Sequence, residues 1–272
     1  MKVEKIVLNE AREVSLTAYL LDTGGEFRNI CKRPAVLILP GGGYKFCSER
    51  EADPVAMPYL KAGYHAFILR YSVGKHSVWP NPLQDYEQAM EMIRTKAEEW
   101  KVFSDKVAVI GFSAGGHLAA AAATMSKNRP NAAILGYPVT GSDVKGCCAT
   151  APDTISCVDK NTCPCFIFAT RTDAVVPVMN SIRFMEALVQ ADISFESHIY
   201  SYGPHGFSTC DTSVQSGDTT ISSRVPNWVS DSIGWLKEVF GDFGNGGMTK
   251  PVCKAHVTDN DGEFLSVDCT FG

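Results

Sequence analysis

Long apolar runs, a surplus of positive charge and paired cysteine motifs are all missing from this chain of 272 residues. No apolar stretch approaches the roughly 18 residues that a membrane span requires, so the sequence predicts no transmembrane helix. Residues 1–10 lack the apolar core and the small-residue cleavage site of a signal peptide, which predicts a cytoplasmic protein. With 25 Lys and Arg against 30 Asp and Glu, no basic run is dense enough to follow a phosphate backbone. The charge pattern therefore argues against nucleic-acid partners and anionic membrane surfaces.

The ten cysteines are scattered, and none belongs to the C-x-x-C elements that are typical of zinc sites. We expect free, mostly buried thiols that pack as small apolar residues. A disulfide within the stretch from Cys147 to Cys163 is the alternative. No metal ion and no organic cofactor is predicted.

What is present favours one large α/β domain, since 45% of the residues are hydrophobic and 20% are charged. Continuous apolar runs such as residues 35–39 alternate with helical patterns, which indicates a mainly parallel sheet with helices on both faces. Residues 6–8 and 14–20 precede them as antiparallel strands. Residues 1–242 are predicted to form the α/β domain.

Residues 243–272 are expected to be a glycine-rich linker followed by a short β-hairpin with an Asp-Gly turn. Because an isolated hairpin is marginally stable, it should pack on the main domain, pair with a sheet edge or join a second subunit.

The strongest chemical signal is the G-x-S-x-G sequence from Gly111 to Gly115, which lies between an apolar strand and an alanine-rich helix. In that context the turn holds a serine in a strained conformation and presents its hydroxyl as a nucleophile. Gly111 and Gly115 flank Ser113 where a Cβ would collide with the adjoining strand or helix. A capping serine in a tight turn is the purely structural alternative.

A serine nucleophile needs a base that is itself oriented by a third group. His205 directly follows the last predicted strand, residues 195–200, and is the candidate base. Asp173 follows the strand of residues 165–169 and is the candidate acid, with Asp143 and Asp153 as alternatives. The order Ser113, Asp173, His205 is that of the α/β-hydrolase fold.

A glycine-rich loop, Pro40-Gly-Gly-Gly-Tyr44, ends the strand of residues 35–39. The N–H groups of Gly42 and Gly43 could hold an oxyanion together with that of Ala114, which lies at a helix N-terminus. Phosphate binding is the competing function, but the spacing of a P-loop is absent. A flexible glycine loop without a functional role is the third alternative.

Several stretches also resemble a known family: Pro40–Tyr44, Ser48–Glu51, Ala62–Val73, Trp79–Pro80, Gly111–His117, Thr170–Pro177 and Gly203–Gly206. They are similar to bacterial carbohydrate esterases, many of which are labelled acetyl xylan esterase or xylanase and are related to esterases of the hormone-sensitive-lipase type. The likeness covers roughly residues 30–240. Pro40 stands where the lipase-like relatives carry histidine.

The resemblance implies a serine carboxylesterase that removes short acyl groups, above all acetyl, from small-molecule or oligosaccharide esters. Sugar-facing side chains are then expected at Tyr44, Arg50, Tyr71 and Trp79, because aromatic faces stack on pyranose rings, although each could equally belong to the core or an ion pair. A peptidase of the same fold and a non-catalytic carbohydrate-binding relative are the other functions considered. Xylanase activity would need two carboxylates flanking a sugar cleft, and no such pair stands out.

Overall fold

An eight-stranded sheet organises the part of the chain that the computed structural model describes, which is residues 1–216, 220–241, 253–258 and 264–269. Its strands, in chain order β1 to β8, are Lys2–Asn9, Val14–Leu20, Arg33–Leu39, His65–Arg70, Val102–Phe112, Ala132–Gly136, Cys165–Thr170 and Phe195–Tyr200. The helices, α1 to α6, are Asp53–Lys61, Asn81–Thr95, Ala97–Trp100, Ser113–Met125, Met179–Gln190 and Asn227–Phe240.

The spatial order of the strands is β1-β2-β4-β3-β5-β6-β7-β8. The two N-terminal strands pair antiparallel with each other, and β2 pairs antiparallel with β4. All remaining neighbours are parallel. The predicted mainly parallel sheet with antiparallel N-terminal strands is therefore confirmed.

The two faces of the sheet bury separate apolar clusters, because successive side chains of a strand point to opposite sides. In β3, Leu37 and Leu39 pack in a cluster with residues of α2, α4 and α5, whereas Val36 and Ile38 pack with residues of α1 and α6. Every residue from Ala35 to Leu39 is fully buried, as a strand covered by helices on both faces requires.

Two helical segments of the chain are interrupted. Helices α2 and α3 are separated at Lys96, and Trp100 at the end of α3 packs on Phe67 with ring centroids 5.4 Å apart. Helix α1 begins at Asp53, because the backbone of Ala52 is not helical and separates it from the 3-10 turn Glu49–Glu51.

Near the C-terminus, strands β9 (Cys253–Thr258) and β10 (Phe264–Cys269) pair antiparallel. The glycine-rich linker predicted from residue 243 and the predicted Asp-Gly turn lie outside the described residues. A domain boundary at residue 242 and a contact of this segment with a second subunit stay predictions.

Eight of the cysteines are free thiols, and both ends of the stretch proposed for a disulfide, Cys147 and Cys163, are among them. Only three of these eight, Cys148, Cys163 and Cys165, are buried, and Cys31 is exposed. The expectation of mostly buried thiols was therefore wrong, since the other four, Cys47, Cys147, Cys157 and Cys210, are only partly buried.

His65 in β4 is fully buried with both ring nitrogens bonded to backbone. Nδ1 accepts the N–H of Leu21 at 3.1 Å, so the neutral ring donates its Nε2–H to the carbonyl oxygen of Lys101 at 3.2 Å. Burial lowers the pKa of His65 to about 4, because a charged ring would lose its hydration, and the bond to Lys101 opposes this only in part.

This histidine should make the fold acid-sensitive. Between pH 6.5 and pH 4 the unfolded chain binds a proton at His65 that the folded chain does not, so the free energy of unfolding should fall as the pH is lowered. Protonation of His65 in the unfolded chain should lower the free energy of unfolding by about 3 kcal/mol at pH 4, and this loss should vanish above pH 6.5. Urea unfolding at pH 7, 6 and 5 measures it, with His65→Gln as a side chain that cannot ionise. Identical pH slopes for the two proteins would contradict the prediction.

Candidate active site

Ser113 lies at the sharp turn from β5 into α4, with a backbone φ of 53° in the left-handed region. A Cβ on Gly111 would lie 2.2 Å from the carbonyl oxygen of Gly115, and a Cβ on Gly115 would lie 2.1 Å from that of Leu39. No side chain fits at either position without moving backbone. The predicted strained turn with its two obligatory glycines is thus confirmed.

His205 follows the end of β8 and directs its ring at this turn. Its Nε2 lies 2.8 Å from the Oγ of Ser113, although the two residues are 92 positions apart in the chain. The other ring nitrogen, Nδ1, lies 2.6 Å from Oδ2 of Asp173, which follows β7. Parallel strands end at one edge of the sheet, and for this reason three distant loops meet there.

The carboxylate of Asp173 is held from two sides. Its Oδ1 accepts the backbone N–H groups of Val175 and Val176, both at 2.9 Å, and its side chain is only 1% exposed. Because this carboxylate accepts a hydrogen bond from the Nδ1–H group of His205, Nε2 carries no proton and can accept the hydroxyl proton of Ser113. The arrangement has the geometry of a nucleophile, a base and an orienting acid.

The two alternative acids lie elsewhere. Asp143 accepts a hydrogen bond from the side-chain amide of Asn180 at 2.9 Å, and Asp153 accepts the backbone N–H of Ile155 at 2.8 Å. Neither of these contacts involves His205.

A cavity of about 250 Å³ opens beside the serine hydroxyl. It is lined by Gly43, Ser113, Ala114, Val139, Asp143, Gly146, Cys147, Val175 and Val176. Gly43 and Ala114, two of the predicted oxyanion donors, therefore border it, whereas Gly42 packs against Phe46 and accepts the N–H of Lys45 at 3.0 Å. Larger cavities of about 720 and 510 Å³ lie elsewhere, and they are not lined by Ser113, Asp173 or His205.

Two of the predicted sugar-facing residues, Tyr44 and Tyr71, are only 1% exposed. The hydroxyl of Tyr44 lies 2.7 Å from Nδ1 of His117, and that of Tyr71 donates to the carbonyl oxygen of Pro40 at 2.6 Å. Tyr71 thus supports the glycine-rich loop and Tyr44 anchors the end of that loop to His117, so the prediction that these two side chains contact a sugar was wrong.

The other two predicted sugar-facing residues have accessible surface. Trp79 is half-buried with its ring 5.5 Å from that of His117, and Arg50 is exposed beside the loop that carries His205. Their contact with a sugar stays a prediction.

Sequence reasoning missed two groups beneath the site. Glu51 is buried between the glycine-rich loop and Tyr137, and its burial raises the pKa of the carboxyl group. His117 is fully buried, and burial lowers its pKa to about 4. The only available signal was their position within the family-like stretches, because neither lies in a recognisable catalytic motif.

Metal-binding and membrane-spanning features are not seen in the described part of the chain. No group of three His, Cys, Asp or Glu side chains there could hold a metal ion. Nor does any helix among those residues combine the length and apolar character needed to cross a bilayer.

Comparison with known sequences finds a family model described as BD-FAE that matches residues 28–137. The chain is 32% identical over 217 residues to endo-1,4-beta-xylanase B of Butyrivibrio fibrisolvens, which is 68% of this chain and 34% of that protein. It is 31% identical over 216 residues to an acetylxylan esterase of Xylanibacter ruminicola, which is 69% of this chain and 45% of that protein. The chain thus spans between a third and a half of the length of these curated relatives.

Among solved structures, an α/β-hydrolase enzyme, MGS-M1, from a Medee basin deep-sea metagenome library superposes with a TM-score of 0.82 at 44% identity. The match covers 88% of this chain and 98% of that one. The carboxylesterase Cest-2923 of Lactobacillus plantarum superposes with a TM-score of 0.80 at 28% identity, over 88% of this chain and 98% of its own.

Proposed function

From the premise that this chain belongs to the α/β-hydrolase family and is an ester hydrolase, we propose that it removes short acyl groups, above all acetyl, from carbohydrate esters such as xylo-oligosaccharides. The observation that carries the proposal is the hydrogen-bonded chain Ser113–His205–Asp173 beside a cavity of about 250 Å³.

Acylation begins when Oγ of Ser113 attacks the ester carbonyl carbon and Nε2 of His205 accepts the hydroxyl proton. Asp173 holds the ring in the required tautomer and stabilises its charged form. His205 then gives the proton to the departing sugar oxygen as the ester C–O bond breaks, so that the sugar leaves as an alcohol. A water molecule, deprotonated by the same histidine, hydrolyses the acyl-enzyme and releases the acid.

The negative charge of the tetrahedral intermediate needs preorganised donors. The N–H of Ala114, at the N-terminus of α4, is one candidate, and the N–H of Gly43 across the cavity is the other. Gly42 stays an alternative donor from the same loop.

The size and lining of the cavity favour a small acyl group. About 250 Å³ is below the roughly 300–1,000 Å³ of pockets that hold drug-sized ligands. Valines line part of it, which suits a methyl group, and the carboxylate of Asp143 disfavours an anionic acyl chain. For the alcohol part of the substrate we propose Arg50 and Trp79 as sugar contacts, since both keep accessible surface. The name of the acetylxylan esterase relative agrees with this substrate class.

The test is hydrolysis of p-nitrophenyl acetate, butyrate and octanoate. We expect kcat/KM for acetate to exceed that for octanoate by about 100-fold or more, because the longer chain cannot enter the cavity. Ser113→Ala is the control without a nucleophile. Release of acetate from acetylated xylo-oligosaccharides, followed by NMR, then tests the sugar. Equal activity in the Ser113→Ala protein, or none in the parent, would refute the proposal.

A fluorophosphonate probe separates this function from its competitors. Stoichiometric labelling of Ser113 is expected, and a protein that stays unlabelled would support a non-catalytic carbohydrate-binding role. Labelling together with cleavage of peptide p-nitroanilides in place of acetyl esters would instead support a peptidase.

A further inference from the structure

Glu51 occupies a position that no step of the proposed mechanism uses. It ends the 3-10 turn before α1, is 3% exposed, and directs its carboxylate between two loops of the site. A buried carboxylate is costly unless its oxygens are bonded, so its partners indicate what it does.

The first oxygen, Oε2, accepts the backbone N–H of Gly41 at 2.7 Å. Gly41 lies directly against the nucleophile turn, where a Cβ on it would be 3.1 Å from Cβ of Ser113 and 2.7 Å from the carbonyl oxygen of Phe112. With the N–H of Gly41 turned to Glu51, the direction of the chain that leads to Gly42 and Gly43 is set.

The second oxygen, Oε1, accepts a hydrogen bond from the hydroxyl group of Tyr137 at 2.6 Å. The same hydroxyl oxygen accepts the N–H of Ser208 at 3.0 Å, and the Tyr137 ring packs edge-on against His205 with centroids 5.1 Å apart. The side chain of Ser208 in turn donates to the carbonyl oxygen of Arg50, next to Glu51 in the chain. One carboxylate therefore joins the loop of the candidate oxyanion donors to the loop of the base.

The electrostatics agree with this placement. Burial raises the pKa of Glu51, while the hydrogen bonds from Tyr137 and Gly41 and the nearby His205 and Arg50 act to lower it. These partners are the groups that would stabilise its charged form in an apolar surrounding.

We infer that Glu51 is a positioning residue for ester hydrolysis. It holds the glycine-rich loop and the His205 loop in the relative position that catalysis requires, through Gly41 and Tyr137. The inference rests on the proposed function, since the relative position of the two loops affects kcat only if Ser113 is acylated. Glu51 itself does not line the cavity, and its hydrogen bonds go to Gly41 and Tyr137.

The variant Glu51→Ala should lower kcat for p-nitrophenyl acetate by about 100-fold, the scale of a misplaced catalytic group. Its KM should stay within about threefold, because the acyl cavity is untouched. Glu51→Gln keeps the shape and one acceptor oxygen but loses the charge, so it should recover part of the loss and fall about tenfold below the parent. Glu49→Gln removes a carboxylate from the same turn whose side chain is 76% exposed, and it should leave kcat unchanged.

A double-mutant cycle tests the link between the loops. Tyr137→Phe should also lower kcat about tenfold, and its combination with Glu51→Ala should be little worse than Glu51→Ala alone, because the hydrogen bond from Tyr137 to Glu51 is already absent in the alanine variant. Thermal unfolding of each protein monitors folding, and the Gln variant decides the question if Glu51→Ala does not fold.

Parental kcat in a folded Glu51→Gln protein would overturn the inference, as would a rise in KM with unchanged kcat or strictly additive effects in the cycle. A parent protein without esterase activity is a different result, because it would refute the proposed function itself.

Discussion

Replacing Asp173 with asparagine is expected to lower kcat for p-nitrophenyl acetate by about 10⁴-fold. The reason lies in the hydrogen bonds around the side chain. Oδ1 accepts two backbone N–H groups, from Val175 and Val176, so the amide oxygen of asparagine must take that place. The amide NH₂ then faces Nδ1 of His205, which has to become the acceptor. The ring proton moves to Nε2, which can no longer accept the proton of Ser113.

Steady-state kinetics of Asp173→Asn measure this loss, and circular dichroism checks that the fold is kept. Asp153→Asn is the matched control, because its carboxylate also accepts backbone N–H groups in a loop but makes no contact with His205. We expect its kcat to stay within about threefold of the parent. More than a tenth of parental kcat in Asp173→Asn would show that this carboxylate does not orient the base.

The second large effect is on stability. Gly115→Ala is expected to lower the free energy of unfolding by about 3 kcal/mol or more, since an added methyl group that collides with backbone atoms is costly. The added Cβ would lie 2.1 Å from the carbonyl oxygen of Leu39 and 2.5 Å from that of Pro40. Both atoms are backbone at the end of the central strand β3, so relief requires the helix to move away from the sheet.

Gly234→Ala in α6 is the control for this prediction. It places the same methyl group on another helical glycine, where no atom lies within 4 Å of the added Cβ. Because alanine favours helix over glycine, we expect it to be neutral or to stabilise the protein by up to about 1 kcal/mol. Urea denaturation of the three proteins gives the comparison, and equal midpoints for Gly115→Ala and the parent would contradict the steric argument.

Much of the sheet could be predicted because its signals are local. The strand and the helix around Ser113 are apolar runs joined by a turn that tolerates only glycine at two positions, and each feature is visible within a dozen residues. The last predicted strand, Phe195–Tyr200, also coincides with the observed β8. The position of His205 just after that strand followed from the same kind of signal.

Side-chain burial was harder to predict. Tyr44 and Tyr71 have the composition of sugar-stacking residues, yet each buries its ring and bonds its hydroxyl internally. Exposure depends on which elements pack above a residue, and these lie far away in the chain. His117, for example, comes 73 positions after Tyr44.

The sequence by itself determined the α/β architecture, the strained turn at Ser113 and the loops that carry its candidate partners, because periodicity and glycine spacing act over short distances. Only the tertiary structure decided which carboxylate meets His205, how small the cavity is, and that Glu51 joins two loops. These depend on contacts such as Glu51 to Tyr137, 86 positions apart, which form only when parallel strands bring their ends to one edge of the sheet.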